Sequence, residues 1–400
     1  MKAVKIERLR QFYRDYLLDN VIGFWRSHSL DDAYGGYLTC LDRQGNVYNT
    51  DKSVWFQGRG AWTFCRLYNE MEQRPEWLGA AQSGISFLLD HCFDADGRMF
   101  FTVTRDGKPL QKRRYMFSEA FAVIALAEYS KAACDERAMK RAAGIFNSMW
   151  DIYRNGLIMP KIDPATRRTK SHSLPMILLS VIQQLREIGN TKAYDDYADE
   201  LLHTLFGDFM KREQCALFET VGEHGERLDS PQGRCVNPGH AIETSWFLMH
   251  EGLYRKDDTI IRNALDILDW SIDIGWDKQY GGILAFVDIE GKPAEQLEWD
   301  MKLWWPHTEA LYAFLLAHFI TGDERYEAWF DTIHDWSFRH FEDPDYGEWY
   351  GYLHRDGTVA NTLKGSIWKG PFHLPRALLF SYKLLEKAAN PIEICGRNTQ

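Results

Sequence analysis

The chain repeats one pattern along its length. The segments that begin at Asp32, Asp277 and Asp343 each consist of a Gly-containing turn, a short alternating stretch and a polar turn that ends in Gly. This is the pattern of a β-hairpin. Three weaker copies begin at Asp94, Arg154 and Cys215. Recurrence at about 60 residues indicates an internally repeated architecture.

Two helical patterns lie between successive hairpins. Leu, Ala, Phe and Trp recur at three- and four-residue steps, for example over 55–70 and 77–89. With an opening helix over 5–27 and a closing helix over 371–388, six such units predict twelve helices. We therefore predict an all-α fold, an (α/α)6 barrel with short β-hairpins between helix pairs at one end. An open α-solenoid is the alternative, and the pairing of the two chain ends favours the barrel.

No linker or change of character divides the 400 residues. The prediction is one barrel domain over 1–390 and a C-terminal tail over 391–400. Hydrophobic residues make up 45% of the chain and aromatic residues 14%, which is ample for a packed core. The 15 tryptophans suit either aromatic layers inside the barrel or platforms for a sugar ring.

Charge and cysteine usage narrow the choice of partner and compartment. A net charge of -10 disfavours nucleic acid and anionic membrane and leaves a small neutral ligand as the better fit. The chain start has no apolar signal segment, and the longest apolar run, 310–320, is too short to span a bilayer. Seven scattered cysteines without a CxxC pair indicate neither a disulfide framework nor a zinc site. We expect a cytoplasmic protein without a metal.

Polar residues recur near the start of one helix in each unit. They are Trp55, Arg59, Ser118, Glu119, His172, His240, Glu243, Trp305, His307, Glu309 and His373. If these helices form the inner ring and run the same way, their polar residues meet at one mouth of the barrel. His240 and Glu243, three apart, share a helix face. Glu309 ranks above His307, which points to nearly the opposite side of its helix.

Several chemistries lack their motifs. G-x-G-x-x-G after a strand, G-x-x-x-x-G-K-[ST], H-E-x-x-H and G-x-S-x-G are all absent. The remaining interpretation is a metal-free site with two histidines, several carboxylates and one arginine. Arg59 has an alternative role as a structural ion-pair partner of Glu119 or Glu309. An (α/α)6 glycoside hydrolase using Glu119, Glu243 and Glu309 is a rival enzyme, and a non-enzymatic interaction protein is a further alternative.

Seven motifs between about residues 20 and 380 resemble the N-acylglucosamine 2-epimerase family, whose mammalian members were also described as renin-binding proteins. The motifs are F-W-R-S-H-S, V-W-F-Q-G-R, F-S-E-A-F, N-P-G-H-A-I-E-T-S-W-F-L, Q-L-E-W-D-M-K-L-W-W-P-H-T-E-A-L, D-P-D-Y-G-E-W-Y-G-Y-L and K-G-P-F-H-L-P-R. The resemblance implies an (α/α)6 barrel. It also implies interconversion of N-acetylglucosamine and N-acetylmannosamine, whereas other relatives epimerise cellobiose or isomerise mannose.

Carried onto matching positions, the resemblance implies that His240 and His373 are the acid/base pair and that Arg59 and Glu309 are essential. Residues expected to bind or assist the substrate are Glu243, His172, Trp55, Trp305 and Glu119. No cofactor is expected for the chemistry, although ATP activates some family members allosterically. The resemblance also implies a homodimer.

The chemistry explains why two imidazoles suit this reaction. Inverting C2 of an N-acyl aldohexosamine requires ring opening, removal of the C2 proton and return of a proton to the other face, through an enediolate. Imidazole, with a pKa near ~6.5, serves as base or acid around neutrality. We expect Arg59 to hold the O1 anion, Glu243 to orient His240, and Glu309 to accept hydrogen bonds from sugar hydroxyls or aid ring opening.

Overall fold

The computed structural model describes residues 1–113, 115–158 and 162–389. Its α-helices are α1 (Ala3–Asp15), α2 (Gly23–His28), α3 (Val54–Glu70), α4 (Pro75–His91), α5 (Phe117–Ala132), α6 (Glu136–Arg154), α7 (Ser173–Gly189), α8 (Asp195–Thr204), α9 (Pro231–Arg234), α10 (Pro238–Arg255), α11 (Asp258–Gly275), α12 (Trp304–Thr321), α13 (Glu324–Phe341) and α14 (His373–Ala389). A π-helical stretch, Tyr16–Ile22, joins α1 to α2 without a break, and α9 is a single turn. The described residues therefore form twelve long helices, as predicted.

Six helices form a closed inner ring. Contacts run from α3 to α5, α7, α10, α12 and α14, and α14 returns to α3. Each inner helix also packs against one outer helix, and α1 from the start of the chain covers α14. The closed ring confirms the (α/α)6 barrel and excludes the open solenoid. None of the described helices is long and apolar enough to cross a bilayer.

Burial distinguishes inner from outer helices. Every residue of α12 between Trp304 and His318 is buried except Trp305, as expected for a helix surrounded by other helices. The outer helix α6 buries one stripe at three- and four-residue steps, formed by Ala138, Ala142, Ile145, Phe146, Met149 and Trp150. The inner helix α12 is thus buried around its circumference, whereas the outer helix α6 buries one face.

Short strands line one end of the barrel. They are β1 (Cys40–Leu41), β2 (Val47–Asn49), β3 (Lys52–Ser53), β4 (Thr102–Val103), β5 (Pro109–Gln111), β6 (Thr169–Ser171), β7 (Met210–Lys211), β8 (Ala216–Leu217), β9 (Thr220–Gly222), β10 (Cys235–Val236), β11 (Val287–Asp288), β12 (Lys302–Leu303), β13 (Tyr352–Leu353) and β14 (Val359–Asn361). All pairs are antiparallel: β1–β2, β3–β4, β4–β5, β6–β9, β7–β8, β10–β11, β12–β13 and β13–β14. The strands that lead into four inner helices therefore pair with strands of later loops.

The predicted hairpins are present in three of the six repeats, as β1–β2, β4–β5 and β13–β14. In the repeat after Asp277, β11 pairs with β10 instead of forming a hairpin. In the repeat at Cys215, the two strands do not pair with each other: β8 pairs with the preceding strand β7, and β9 pairs with the earlier strand β6. Most of the copy that begins at Arg154 is loop, and its residues 159–161 lie outside the described residues, as does the predicted tail over 391–400.

A buried aspartate anchors each of the three strong repeats. Asp31, not Asp32, is the structural equivalent of Asp277 and Asp343. Each binds one lysine and one arginine: Asp31 with Lys52 and Arg105, Asp277 with Lys302 and Arg355, and Asp343 with Lys364 and Arg43, all at 2.8 to 3.0 Å. In each case the arginine comes from the turn of another hairpin. Because Arg43 lies in the first hairpin and Asp343 in the last, this ion triad joins the two halves of the closing seam.

Candidate active site

The N-terminal ends of the inner helices surround a cavity of about 2210 Å³. Six of the predicted site residues line it: Trp55, Arg59, His240, Glu243, Trp305 and His373. The cavity is larger than a pocket for one small ligand, typically about 300–1,000 Å³, because it extends down the barrel to residues such as Glu187 and Lys387. The predicted convergence of distant helix starts on one mouth is therefore present.

His373, the first residue of α14, is held by Glu309 of α12. Nδ1 of His373 lies 2.7 Å from Oε1 of Glu309. A carboxylate accepts hydrogen bonds and donates none, so Nδ1 carries the proton and Nε2 keeps its lone pair. The second oxygen of Glu309 accepts from Nε1 of Trp246 at 2.9 Å. Glu309 is buried and its two oxygens contact His373, Arg376 and Trp246, so this geometry favours a role in orienting His373.

Arg376, one turn after His373, is a site residue that sequence reasoning missed. Its Nη2 lies 2.5 Å from Oε1 of Glu243 and 2.7 Å from Oε1 of Glu309. One buried guanidinium thus forms ion pairs with two buried carboxylates. The i, i+3 spacing from His373 on the same helix face was the available sequence signal.

Burial and two neighbouring cations favour the neutral form of the His373 ring. Burial is the main cause that moves the pKa of His373 well below its usual value, and the charges of Arg59 and Arg376 lower it further. The negative charge of Glu243 opposes this pKa shift without overcoming it. A neutral ring with a free Nε2 lone pair is the form that accepts a proton.

His240 has a different carboxylate partner, Glu219. Nδ1 of His240 lies 2.9 Å from Oε1 of Glu219, and the same oxygen is 3.5 Å from Nδ1 of His172. Nε2 of His172 hydrogen-bonds Oγ1 of Thr244 at 3.0 Å. The expectation that Glu243 orients His240 is therefore wrong, because Glu243 is bound to Arg376. Glu219 was missed because it lies in a loop and strand region without helical periodicity.

The Glu219 charge favours the protonated form of His240. Burial alone lowers the pKa of His240, but the charge and hydrogen bond of Glu219 outweigh burial, so that the pKa lies above its usual value. The pKa of Glu219 is lowered despite its burial, by His240 and His172. Among the described residues Glu219 forms ion pairs with these two histidines and with no arginine or lysine. The two candidate catalytic imidazoles are thus tuned in opposite directions.

The ring of Trp305 contacts the rings of both His240 and His373. Its ring centre lies 5.1 Å from that of His240 and 5.8 Å from that of His373. Trp305 is the half-buried exception on α12 and faces the cavity. An indole between two imidazoles offers an apolar platform on which a sugar ring can lie within reach of both.

Arg59 lies under aromatic rings rather than against a carboxylate. Its guanidinium carbon is 4.1 Å from the centre of the Phe121 ring and 5.3 Å from that of Phe372. Nη1 donates to the carbonyl oxygen of Trp368 at 3.3 Å, and the buried Nε has no hydrogen-bond partner. The alternative of an ion pair with Glu119 or Glu309 is not found. Arg59 therefore retains donors for a ligand in the cavity that it lines.

Three other polar residues singled out in the sequence contact protein groups and do not line the cavity. Glu119 accepts hydrogen bonds from Nε of Arg98 at 2.6 Å and from the backbone N of Met99 at 3.0 Å. It is not among the residues that line the cavity, so the structure does not bring it together with the other predicted site residues. His172 is buried behind the cavity wall, where it supports Glu219. His307 accepts from the N of Ile283 and donates to the carbonyl of Leu303, in agreement with its lower rank.

Comparison with known proteins identifies a sugar epimerase. A profile of the N-acylglucosamine 2-epimerase (GlcNAc 2-epimerase) family matches residues 36–374. The N-acylglucosamine 2-epimerases of Bos taurus and Homo sapiens are 40% and 37% identical, over 92% of this chain and 89% and 88% of theirs. The chain belongs to the N-acylglucosamine 2-epimerase family.

More distant relatives share the fold. The cellobiose 2-epimerase of Bacteroides fragilis is 24% identical over 92% of this chain and 97% of its own. The solved cellobiose 2-epimerase of Spirochaeta thermophila superimposes with a TM-score of 0.82 at 22% identity, covering 96% and 98% of the two chains. A D-mannose isomerase gives 0.80 at 17% identity, covering 94% and 98%. A GH76 alpha-mannanase of Bacteroides thetaiotaomicron gives 0.61 at 11% identity, covering 94% and 96%.

Proposed function

We propose that the protein inverts C2 of an N-acylhexosamine and interconverts N-acetylglucosamine and N-acetylmannosamine. The observation that carries the proposal is the pair of imidazoles in one cavity, His373 held neutral and His240 favoured in its protonated form. The choice of substrate is supported by identity of up to 40% to N-acylglucosamine 2-epimerases against 24% to the Bacteroides fragilis cellobiose 2-epimerase.

The reaction begins with the open-chain sugar against Trp305. Nε2 of neutral His373 takes the C2 proton, and the electron pair of the C–H bond moves to form an enediolate whose charge rests on O1. Arg59 has donors free, and although burial lowers its pKa to about 9, it keeps its positive charge at neutral pH and stabilises that anion. Protonated His240 then gives its proton to C2 from the other face, so the configuration inverts. The enzyme is left with His373 protonated and His240 neutral.

The opposite pKa shifts of His373 and His240 support one order of proton transfers. In the resting state His373 is the base and His240 the acid, because acid/base roles follow from environments that push two pKa values apart. The reverse reaction needs the opposite protonation states. Proton exchange with solvent between turnovers restores the resting state, and this exchange introduces solvent hydrogen at C2.

The rival glycoside hydrolase needs two carboxylates free to act on a glycosidic bond. Glu243 and Glu309 share the guanidinium of Arg376, and Glu119 is bound to Arg98. These contacts support the epimerase over the hydrolase.

Further expectations stay proposals. We propose that the chemistry needs no cofactor, that ATP acts on the protein as an allosteric activator, and that the protein is a cytoplasmic homodimer. A reducing compartment is supported by the six cysteines of the described residues, all of which are free thiols.

The test is incubation of the purified protein in heavy water with N-acetylmannosamine, N-acetylglucosamine, mannose and cellobiose in separate tubes, with and without ATP. Proton NMR then follows epimer formation and loss of the C2 proton signal. We expect epimers and C2 deuterium from the two N-acetyl sugars. Epimers or isomers from cellobiose or mannose alone would overturn the substrate assignment, and reducing-sugar release from an oligosaccharide without epimer formation would overturn the reaction.

A further inference from the structure

His172, Glu219 and His240 form a compact set of metal-ligand atoms at the cavity wall. One ligand atom from each residue lies within 4.8 Å of the other two. Oε1 of Glu219 is 2.9 Å from Nδ1 of His240 and 3.5 Å from Nδ1 of His172. Ligands at about 2.0–2.1 Å from a tetrahedral Zn²⁺ are separated by about 3.4 Å. The three atoms need only small shifts to meet this spacing.

The charge and the surroundings of the set also suit a divalent ion. Two neutral imidazoles and one carboxylate are the donors that Zn²⁺ and other late first-row ions prefer. A metal-bound histidine is usually held through its other nitrogen, and Nε2 of His172 is fixed by Oγ1 of Thr244 at 3.0 Å. Glu219 and His240 line the open cavity, so an ion can enter and keep a water ligand on that side.

A second set of three groups, Glu243, Glu309 and His373, meets the same distance criterion. Arg376 lies within 2.7 Å of both of its carboxylates, so its position is already taken by a positive charge. Among the described residues, no arginine or lysine forms an ion pair with Glu219, and the only positive charge at this set is the proton of His240, which a metal can displace. The two sets are therefore not equivalent as metal sites.

We propose that His172, Glu219 and His240 form a Zn²⁺-class transition-metal site whose occupation switches the enzyme off. The ion binds where a proton now bridges His240 and Glu219. Protonated His240 loses its Nδ1 proton to solvent and keeps the proton on Nε2, while His172 takes the tautomer with its proton on Nε2, toward Oγ1 of Thr244. The Nδ1 lone pairs so exposed bind the metal. With Nδ1 coordinated, His240 is no longer free to exchange between the acid and base forms. The binding does not depend on the proposed function, whereas the loss of turnover does.

The experiment is a titration of the full-length, untagged protein with Co²⁺, followed by visible absorption, and with Zn²⁺, followed by calorimetry. Cys134, Cys215 and Cys395 are replaced by Ser, because the first two are exposed thiols and the third lies outside the described residues. We expect one Co²⁺ per chain with visible bands of a low-coordinate site, displaced by one Zn²⁺ with release of protons to the buffer.

Variants locate the site. We expect Glu219→Gln and, through the outer contact, Thr244→Val to weaken Zn²⁺ binding by about 10- to 100-fold. The exposed His203 on α8 supplies the matched control, and His203→Asn should bind as tightly as the parent. The absence of a saturable Co²⁺ site in the parent protein overturns the proposal whether or not any variant folds. Unchanged affinity in both Glu219→Gln and Thr244→Val, or lost affinity in His203→Asn, also overturns it.

Inhibition is measured separately. We expect Zn²⁺ to suppress sugar turnover at the concentration that fills the calorimetric site, and EDTA to restore it. Full turnover with the site occupied would refute the switch. A protein that binds Zn²⁺ at this site but turns over none of the sugars would contradict the proposed function and leave the metal site standing, so the two failures are distinguishable.

Discussion

Nδ1 of His373 lies 2.7 Å from Oε1 of Glu309, and this contact nearly duplicates the 2.9 Å contact between His240 and Glu219. The two pairs differ in the other ion-pair partner of the glutamate. Arg376 neutralises Glu309, whereas Glu219 faces only histidines among the described residues. Burial and the charges of Arg59 and Arg376 lower the pKa of His373, whereas the charge and hydrogen bond of Glu219 raise the pKa of His240.

Replacing either histidine by asparagine should abolish turnover without unfolding the protein. An acid or base group typically contributes about 10²- to 10⁴-fold to the rate, and we expect His240→Asn and His373→Asn each to lower kcat/KM by that amount. Steady-state kinetics with circular dichroism measures both properties. The exposed His203 serves as control, since His203→Asn should be fully active. A His373 variant with half of the parent activity would exclude that residue from the mechanism.

Removing the charge of Arg376 should raise the pKa of His373. His373 must be neutral to accept a proton, so activity falls as pH drops through its pKa, and a raised pKa moves the acid limb of the kcat/KM profile to higher pH. We expect the acid limb to move to higher pH in Arg376→Met and to move less in Arg376→Lys, which keeps a positive charge. Arg255→Met, which removes a cation from the far end of α10, should leave the profile in place. An acid limb that does not move in Arg376→Met would show that another group titrates there.

Removing the charge of Glu219 should lower the pKa of His240. His240 acts in its protonated form, so activity falls as pH rises through its pKa, and Glu219→Gln should move the alkaline limb to lower pH. We expect kcat to fall more than KM changes, because Glu219 does not need to touch the sugar to act. A pH series of kcat and KM tests this, with the apparent values assigned to the coupled groups rather than to one residue. A pure KM effect would instead make Glu219 a substrate contact.

The seam between the first and last hairpins should depend on Asp343. Its side chain is fully buried between Arg43 and Lys364, and breaking a buried ion pair typically costs about 3–5 kcal/mol. Asp345 contacts the same Arg43 at 2.8 Å but is 67% exposed, so Asp345→Asn should cost less than about 1 kcal/mol. Urea unfolding of Asp343→Asn and Asp345→Asn at neutral pH compares the two. Equal losses would show that burial does not decide the stability of this seam.

The pH dependence of that seam has a definite sign. The pKa of Asp343 is lowered, since the hydrogen bonds and charges of Arg43 and Lys364 outweigh its burial. A carboxyl group with a depressed folded-state pKa stabilises the fold above its unfolded value, near ~3.9, and loses that contribution as pH falls further. The stability difference between the parent and Asp343→Asn should therefore shrink as the pH is lowered below about 4.

Much of this architecture could be predicted from periodicity alone. Helical steps of three and four residues gave twelve helices, and the recurrence of polar residues at helix starts gave the mouth of the barrel. Periodicity says which face a residue shares, but not which partner meets that face. Glu119 stands at a helix start like the others, yet it turns to Arg98. Glu219 lies in the connection between β8 and β9, and the residues next to it in the sequence do not predict its contact with His240.

Ring closure between α14 and α3 has a consequence for synthesis. Glu243 and its partner Arg376 are 133 positions apart, so a ribosome synthesises one half of the candidate site long before the other half. Until α14 docks, the nascent chain exposes the apolar flanks of α3 and α12 to other unfinished chains and to chaperones. We therefore expect the site to be complete only after α14 has been synthesised. A chain truncated before α14 should aggregate and lack activity.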